Sequence, residues 1–204
     1  MRLMRCGDTG YLAEFSDLDA VRRVYAALAR NPPAGTVDLV PAARTLLVRF
    51  DPAVADPARL AEVLRATEPD GAAAAAGGLV RIPVRYDGAD LADVATHTGL
   101  SVREVVDAHT GVEWTVAFGG FAPGFAYLVD GDPRLEVPRR PESRTRVPAG
   151  AVGLAGSFSG IYPRASPGGW QLIGRTELTL WDVERDPPAL LTPGTRVRFV
   201  ERRG

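Results

Sequence analysis

Glycine and proline are concentrated in one stretch of the chain, and this feature constrains the fold more than any other. Residues 111–174 hold 12 glycines and 7 prolines in 64 positions, together with 8 of the chain's 15 aromatic residues. Disordered segments are poor in aromatic residues, so the stretch is expected to be ordered. It predicts a turn-rich β domain, a barrel or a sandwich, whose loops have defined shapes.

The first 68 residues show a different pattern, in which strands and helices alternate. A small sheet covered by two helices accounts for this order, so an N-terminal α/β sandwich domain is predicted for residues 1–68. The elements predicted there are a strand over residues 11–15, a helix capped at Ser16 and stopped at Asn31-Pro32-Pro33, strands over residues 36–41 and 44–50, and a helix opened by Asp56-Pro57.

Residues 69–78 carry five alanines next to paired glycines, with no apolar face to bury, and are interpreted as a linker. A surface helix is the alternative. From residue 79 to 204 a second domain is predicted, which makes the whole chain α+β. Its expected elements are strands over residues 80–86, 177–183 and 196–201, and helices over residues 90–98 and 101–110, the second with a capping box formed by Ser101 and Glu104.

The composition excludes several classes of chemistry. All 24 basic residues are arginine, so no Walker-A lysine or Schiff-base lysine exists. The net charge of −1 argues against a nucleic-acid binder. Cys6, His97 and His109 are too few for a disulfide framework or a Cys/His zinc site, and no metal site is predicted. The absence of long apolar runs predicts a cytoplasmic protein without membrane contact.

Three loops carry more specific chemistry than folding requires. In the first, residues 119–128, Pro123-Gly124 favours a type II turn, and the Gly119-Gly120 pair lets the backbone approach another group closely. Aromatic residues such as Phe121 either line a pocket there or anchor the loop.

The second loop covers residues 138–150 and is basic. Five arginines stand against two glutamates between residues 134 and 146. Guanidinium groups bind carboxylates and phosphates, and prolines such as Pro148 stiffen the loop before Gly150. An anion site around Arg139 and Arg146 is one interpretation, and a solvated basic loop is the other.

The third loop covers residues 159–176. Gly168-Gly169 presents consecutive backbone N–H groups of the kind that form an anion-binding nest. The alternative is a tight hairpin packed under Trp170. Further donors on this loop are Tyr162, Ser166, Gln171 and Arg175.

His109 lies two residues before a glycine at a predicted helix end. A cation is favoured there by the helix dipole, which explains the residue without chemistry. Proton transfer remains a second hypothesis for His109.

The motifs GGFAPGFAYL, PRR…RTRVPAG, SGIYPRASPGGWQLIGRT and LLTPGTRVRFVE resemble the family of 5-oxoprolinase B subunits. The same family is known as allophanate hydrolase subunit 1 and includes a sporulation-kinase inhibitor. GDTGYLAEFSD and VDLVPAARTLLVRFDP in the first 68 residues resemble it too. The chain departs from many members at Ser157-Phe158, where they carry Asn-Gln, and at Ser143-Arg144, where they carry Pro-Arg.

This resemblance implies a cyclophilin-like β-barrel as the C-terminal domain. It also implies a complex with a homologue of the 5-oxoprolinase C subunit and with a third component, the A subunit. Such a complex opens 5-oxoproline to L-glutamate with hydrolysis of Mg²⁺-bound ATP. The isolated chain is then expected to be inactive. The alternatives are an allophanate hydrolase or urea carboxylase component, and an inhibitor of a sensor histidine kinase.

Within such a complex we expect a site shared with the C subunit. His109, Arg146 and Arg175 are the candidate catalytic residues, with Arg139 as a further anion clamp. The other candidate binding residues are Gly120, Phe121, Pro123, Gly124, Pro148, Gly150, Tyr162, Ser166, Gly168, Gly169, Trp170 and Gln171.

Overall fold

A computed structural model describes residues 1–67 and 77–202. Contacts divide the chain into two compact units, Met1–Gly77 and Gly78–Gly204. The predicted linker, residues 69–78, lies mostly outside the described residues. Among the described residues, no helix has the length and apolar character needed to cross a membrane.

The first unit is a four-stranded antiparallel sheet with two helices. The strands follow the order β1-β2-β4-β3. Alternate side chains such as Ala13, Leu46 and Val48 form a core with Val21, Val24 and other helical residues. The elements are β1 Arg2–Arg5, β2 Gly10–Glu14, α1 Leu18–Arg30, β3 Thr36–Pro41, β4 Thr45–Phe50 and α2 Pro57–Ala66.

The helix caps of this unit correct one prediction and confirm another. Asp17, not Ser16, caps α1, because its carboxylate accepts a 2.8 Å hydrogen bond from the Ala20 N–H. Asp56 caps α2 through the Ala58 N–H, as the Asp-Pro pair predicts.

The second unit is built around a seven-stranded sheet with the order β12-β9-β10-β7-β6-β13-β5. A separate two-stranded sheet pairs β11 with β8. The elements are β5 Leu79–Val84, α3 Leu91–Thr98, α4 Val102–Gly111, β6 Trp114–Gly119, β7 Ala126–Val129, β8 Arg144–Val147, β9 Ala151–Ala155, β10 Phe158–Ile161, β11 Ser166–Gly168, β12 Gln171–Arg175 and β13 Arg196–Glu201.

The seven-stranded sheet closes almost completely into a barrel. All of its pairs are antiparallel except the parallel pair of β13 and β5. Beyond β5, Arg85 exchanges two 2.9 Å backbone hydrogen bonds with Arg175 at the end of β12. This bridge, together with backbone hydrogen bonds from Gly88 to Ile173 and from Asp90 to Leu172, joins the two edges of the sheet, so the predicted turn-rich β unit is confirmed as barrel-like.

The helices of this unit follow the sequence signals closely. Ser101 and Glu104 form the predicted capping box of α4. Gly99 ends α3 in the left-handed conformation with φ +70°, which glycine adopts readily. Gly111 differs, because it is the last residue of α4 and Val112 is the cap.

The strand predicted over residues 177–183 is wrong. Only Trp181 makes a bridge there, with Ala189. The neighbouring Pro187 and Pro188 lack the N–H donors that a longer ladder would need.

Candidate functional site

Two cavities in the second unit involve the three loops. The aromatic cavity has a volume of about 260 Å³, and the arginine cavity one of about 650 Å³. The aromatic cavity is lined by Phe121, Phe125, Tyr127, Arg139, Ser143, Tyr162, Pro167, Gly168, Gly169 and Trp170. The arginine cavity is lined by Pro83, Arg85, Ala149, Gly150, Pro163, Arg175, Thr176, Glu177, Leu178, Thr179 and Arg202.

The first loop, between β6 and β7, forms one wall of the aromatic cavity. The Phe125 N–H donates to the Ala122 carbonyl at 2.9 Å and Gly124 has φ +81°, which confirms the predicted turn at Pro123-Gly124. Phe121 has φ +66°, a conformation that non-glycine residues rarely adopt, and is 59% exposed. Strain of this kind is typical of functional loops.

Aromatic rings form the rest of that wall. The Phe125 ring packs edge-on against Tyr162 and Trp170, each with a centroid distance of 5.4 Å, and against Phe121 at 5.3 Å. Phe125, Tyr162 and Trp170 are buried. The two alternatives for these aromatic residues therefore both apply, because the same rings anchor the loop and line the cavity.

Tyr162 is placed to donate a hydrogen bond inside this cavity. Burial raises the pKa of its hydroxyl, although a hydrogen bond with the Trp170 backbone and the charge of Arg139 lower the pKa in part. The hydroxyl therefore stays protonated at neutral pH. A Cβ atom at position 168 would overlap it, which explains why Gly168 lies there.

The nest predicted at Gly168-Gly169 is not formed. Gly168 is the last residue of β11 and pairs with Arg144, and neither glycine has a positive φ. The Gly169 carbonyl accepts a 2.8 Å hydrogen bond from the Arg140 N–H. Both glycines line the cavity because they leave room for Tyr162 and Ser143, whose hydroxyl lies 2.8 Å from a Cβ built at Gly169.

Asp90, which the sequence analysis missed, holds the basic loop in place. It is 1% exposed, and its Oδ1 accepts hydrogen bonds from Arg140 Nη1 at 2.7 Å and Arg144 Nη2 at 2.6 Å. Its Oδ2 accepts from the Leu172 N–H at 2.7 Å. Burial alone would raise the pKa of Asp90, but these hydrogen bonds and the two charges outweigh it and lower the pKa.

The arginines of the basic loop therefore fall into two groups, those that bind Asp90 and those whose guanidinium groups could bind a ligand. Arg140 and Arg144 bind Asp90, while Arg139 lines the aromatic cavity. Arg146 is exposed on β8 and lines neither cavity. The only signal for this division was Asp90 itself, which the sequence marked merely as a helix start.

The remaining predicted binding residues are distributed around the two cavities. Gln171 is buried, and its Nε2 donates to the Pro138 carbonyl at 3.2 Å, so it supports the basic loop. Arg175 and Gly150 line the arginine cavity. Like Gln171, the predicted binding residues Gly120, Pro123, Gly124, Pro148 and Ser166 line neither cavity.

His109 lies away from both cavities, inside the barrel core. It is fully buried, with Nδ1 at 2.7 Å from the Tyr86 hydroxyl and Nε2 at 2.9 Å from the Ser159 hydroxyl. Its ring stacks on Phe199 at 4.1 Å. Burial lowers the pKa of His109 to about 3, so the ring is neutral. Neither the helix-dipole explanation nor proton transfer to a bound molecule fits this placement.

No group of three or more His, Cys, Asp or Glu side chains within residues 1–67 and 77–202 is arranged to hold a metal ion. The aromatic cavity offers one guanidinium, the three hydroxyl-bearing side chains of Tyr127, Ser143 and Tyr162, and flat apolar walls. This combination is typical of proteins that bind small organic anions.

The comparison with protein families identifies the family of the chain. The family model described as carboxyltransferase domain, subdomain C and D, matches residues 1–191. The chain belongs to this family.

Among curated proteins, the chain is similar to the 5-oxoprolinase B subunit of Escherichia coli O157:H7, with 54% identity over 127 residues, 61% of this chain and 58% of that protein. The Bacillus subtilis (strain 168) protein of the same name is 47% identical over 125 residues, 60% of this chain and 52% of that protein. The matches thus span little more than half the length of these relatives. They confirm the resemblance that the motifs indicate.

The chain is also similar to urea amidolyase of Saccharomyces cerevisiae, over a longer stretch but at lower identity. The two are 27% identical over 96% of this chain and 13% of that protein. Among solved structures, TTHA0988 matches with a TM-score of 0.79 and 42% identity over 96% of this chain and 40% of that chain. The Kluyveromyces lactis urea amidolyase, at 23% identity over 98% of this chain and 15% of that chain, has a TM-score of 0.68 and shares the fold.

Proposed function

We propose that the chain is the B subunit of an ATP-dependent 5-oxoprolinase, which opens 5-oxoproline to L-glutamate together with a C subunit homologue and a third component, the A subunit. Relatives named as 5-oxoprolinase B subunits at 43–54% identity support the proposal. Its structural support is the aromatic cavity, which brings Arg139, Ser143 and Tyr162 together. The cyclophilin-like character of the barrel, the division into two domains and a cytoplasmic location belong to the same proposal.

The chemistry needs activation because a five-membered lactam is a stable amide. Transfer of the γ-phosphoryl group of Mg²⁺-bound ATP to the lactam carbonyl oxygen, with ADP leaving, makes the carbonyl carbon more electrophilic. Water adds to this carbon, and the C–N bond breaks to free the amine of glutamate. Hydrolysis of the resulting acyl phosphate by a second water then releases phosphate. Catalysis of this kind depends on positioning and on charge stabilisation.

This chain's part is to hold the substrate. The Arg139 guanidinium binds the carboxylate of 5-oxoproline, and the Trp170 and Phe125 rings pack against its flat ring. The neutral Tyr162 hydroxyl donates to a substrate oxygen. The phosphoryl donor reaches the lactam from the partner side, so the chain alone is inactive.

The test is phosphate release from ATP by the reconstituted complex. We expect release only with 5-oxoproline and all three components present. Arg139→Gln should lower turnover about 10²-fold, the scale of losing one charge-stabilising donor. Arg134→Gln, at an exposed arginine paired with Asp132, serves as the control and should match the wild type. A loss confined to Arg146→Gln would place the anion clamp outside the cavity and contradict the assignment.

A second candidate is a urea-pathway component, favoured by the urea amidolyase match over 96% of the chain. Substrate preference separates the two. Consumption of ATP with allophanate or urea, and none with 5-oxoproline, would select this alternative.

A further inference from the structure

The arginine cavity is separate from the aromatic cavity and plays no part in the proposed substrate binding. At about 650 Å³ it is the larger of the two and falls within the usual size of small-molecule sites. Its charged lining consists of Arg85, Arg175, Arg202 and Glu177.

Three strand ends bring these arginines together. Arg85 follows β5 and Arg175 ends β12, and their backbones form the bridge that closes the barrel. Arg202 follows β13, and its N–H donates to the Val84 carbonyl at 2.8 Å. The main chain therefore fixes each arginine at the cavity, which is the preorganisation that a binding site requires.

The bridge sets two like charges directly opposite each other, an arrangement that normally destabilises a sheet. A single carboxylate oxygen, Asp87 Oδ2, forms ion pairs with both guanidinium groups. It lies 3.1 Å from Arg85 Nε and 2.9 Å from Arg175 Nη2. Glu177 pairs with Arg202 at 2.6 Å. Among the residues that the structure describes, three guanidinium groups thus share two carboxylates, which leaves one positive charge at the cavity.

These ion pairs are open to competition from a ligand. The side chains of Arg85, Arg175 and Arg202 are 60%, 61% and 58% exposed, and exposed pairs contribute little to stability. Phosphate oxygens accept several charge-assisted hydrogen bonds from arginine at once. An anion of this kind would supply the counter-charge that the closing bridge lacks.

The uncharged lining favours a ligand larger than an inorganic ion. Pro83, Ala149, Pro163 and Leu178 give the cavity apolar surface, and Thr176 and Thr179 add hydroxyl groups. We propose that the arginine cavity is a second binding site, which takes a phosphate ester by its phosphate group and packs the organic part against the apolar lining.

Isothermal titration of the full chain, without partner proteins, tests this site. The probes are ATP without Mg²⁺, inorganic phosphate and adenosine, all at one ionic strength. We expect ATP to bind, phosphate to bind more weakly and adenosine not to bind detectably. Equal binding of phosphate and ATP would support the phosphate chemistry and assign the site to the free anion. No saturable binding of either anion would overturn the proposal.

Arginine variants locate the binding. Arg202→Gln and Arg175→Gln should each raise the dissociation constant for ATP at least about tenfold, which is the effect of losing one charge-assisted hydrogen bond. Arg134→Gln is the matched control, because its pair with Asp132 has the same 2.6 Å distance and its side chain is 57% exposed. An equal loss in Arg134→Gln would show non-specific attraction and overturn the proposal. The measurement involves no turnover, so its outcome is independent of the 5-oxoprolinase assignment.

Discussion

At the scale of single residues, the carboxylate of Asp90 holds together three segments of the chain next to the aromatic cavity. It connects the start of α3, the basic loop and β12 through three hydrogen bonds. Removing one partner of a buried ion pair leaves the other charges without compensation.

Asp90→Asn should therefore lower the free energy of unfolding by about 3 kcal/mol, toward the low end for buried pairs because both arginines are partly exposed. Urea denaturation at neutral pH measures this. The control is Asp107→Asn, which breaks the exposed i,i+4 pair with Arg103 and should cost less than about 0.5 kcal/mol. Equal losses in the two variants would contradict the role of Asp90.

His109 makes the stability of the second unit depend on pH. Its pKa in the folded chain is about 3, against an ordinary value of 6.5 that the unfolded chain regains. Below pH 6.5 the unfolded state binds a proton that the folded state does not. The free energy of unfolding is therefore at its highest well above pH 6.5, as far as His109 is concerned. It falls as the pH drops from 6.5 toward 3, because the proton stabilises only the unfolded state.

Between pH 6.5 and 5 we expect His109 to account for a loss of about 1.6 kcal/mol in the free energy of unfolding, because the unfolded histidine is half protonated at pH 6.5 and the slope then approaches 1.36 kcal/mol for each pH unit. His109→Gln should remove this part of the pH dependence, as measured by urea denaturation at both pH values. His97→Gln, at an exposed position of α3, is the control and should keep the wild-type slope. A wild-type slope in His109→Gln would show that another group is responsible.

The residues of the aromatic cavity whose signals are local could be predicted from the sequence. Tyr162, Gly168, Gly169 and Trp170 lie within one motif, and Phe121 directly precedes a recognisable turn. The role of Asp90 could not be predicted, because its partners are 50 to 82 residues away. Sequence spacing also groups Arg175 with Arg139, because it does not reveal that the barrel points them into different cavities.

At the scale of secondary-structure elements, two glycines with different surroundings give opposite predictions. A Cβ at Gly168 in β11 would overlap the Tyr162 hydroxyl, whereas a Cβ at Gly111 in α4 meets nothing within 4 Å. Glycine also costs about 0.5–1 kcal/mol in a helix relative to alanine.

Gly168→Ala should lower the free energy of unfolding by about 1–3 kcal/mol through overpacking, and Gly111→Ala should raise it by about 0.5 kcal/mol. Thermal and urea denaturation of both variants measure the two signs. An unchanged stability in Gly168→Ala would mean that Tyr162 moves freely, which is incompatible with a rigid cavity wall.

Elements were predictable where local patterning and chain chemistry agreed. The strand at residues 196–201 and the capping box of α4 match the sequence signals. The signal failed at residues 177–183, because an apolar alternation forms a strand only when a neighbour offers hydrogen bonds. It failed by one residue at Ser16, because Asp17 is an equally good cap.

At the scale of the whole molecule, each unit has its own hydrophobic core. The first unit's core includes Leu46 and Leu60, and the second unit's includes Ile82, Trp114 and Phe199. Because the cores are separate, we predict that the second unit folds by itself.

A fragment of residues 78–202 should therefore unfold cooperatively in urea, with near-UV circular dichroism from its buried Trp114. The matched fragment 78–195 lacks β13, which lies between β6 and β5, and should not fold. Cooperative unfolding of the shorter fragment would contradict the closed sheet.

The position of β13 also affects how this unit forms during translation. Among the described strands of this unit β13 follows all the others along the chain, but it is an interior strand that pairs with β5 and β6. β5 consequently precedes its parallel neighbour along the chain, and the pair of β5 and β13 cannot form until residues 85–195 have been made. A chaperone that binds the edge of β5 would therefore bind the nascent chain, and it would lose its binding surface once β13 has paired with β5.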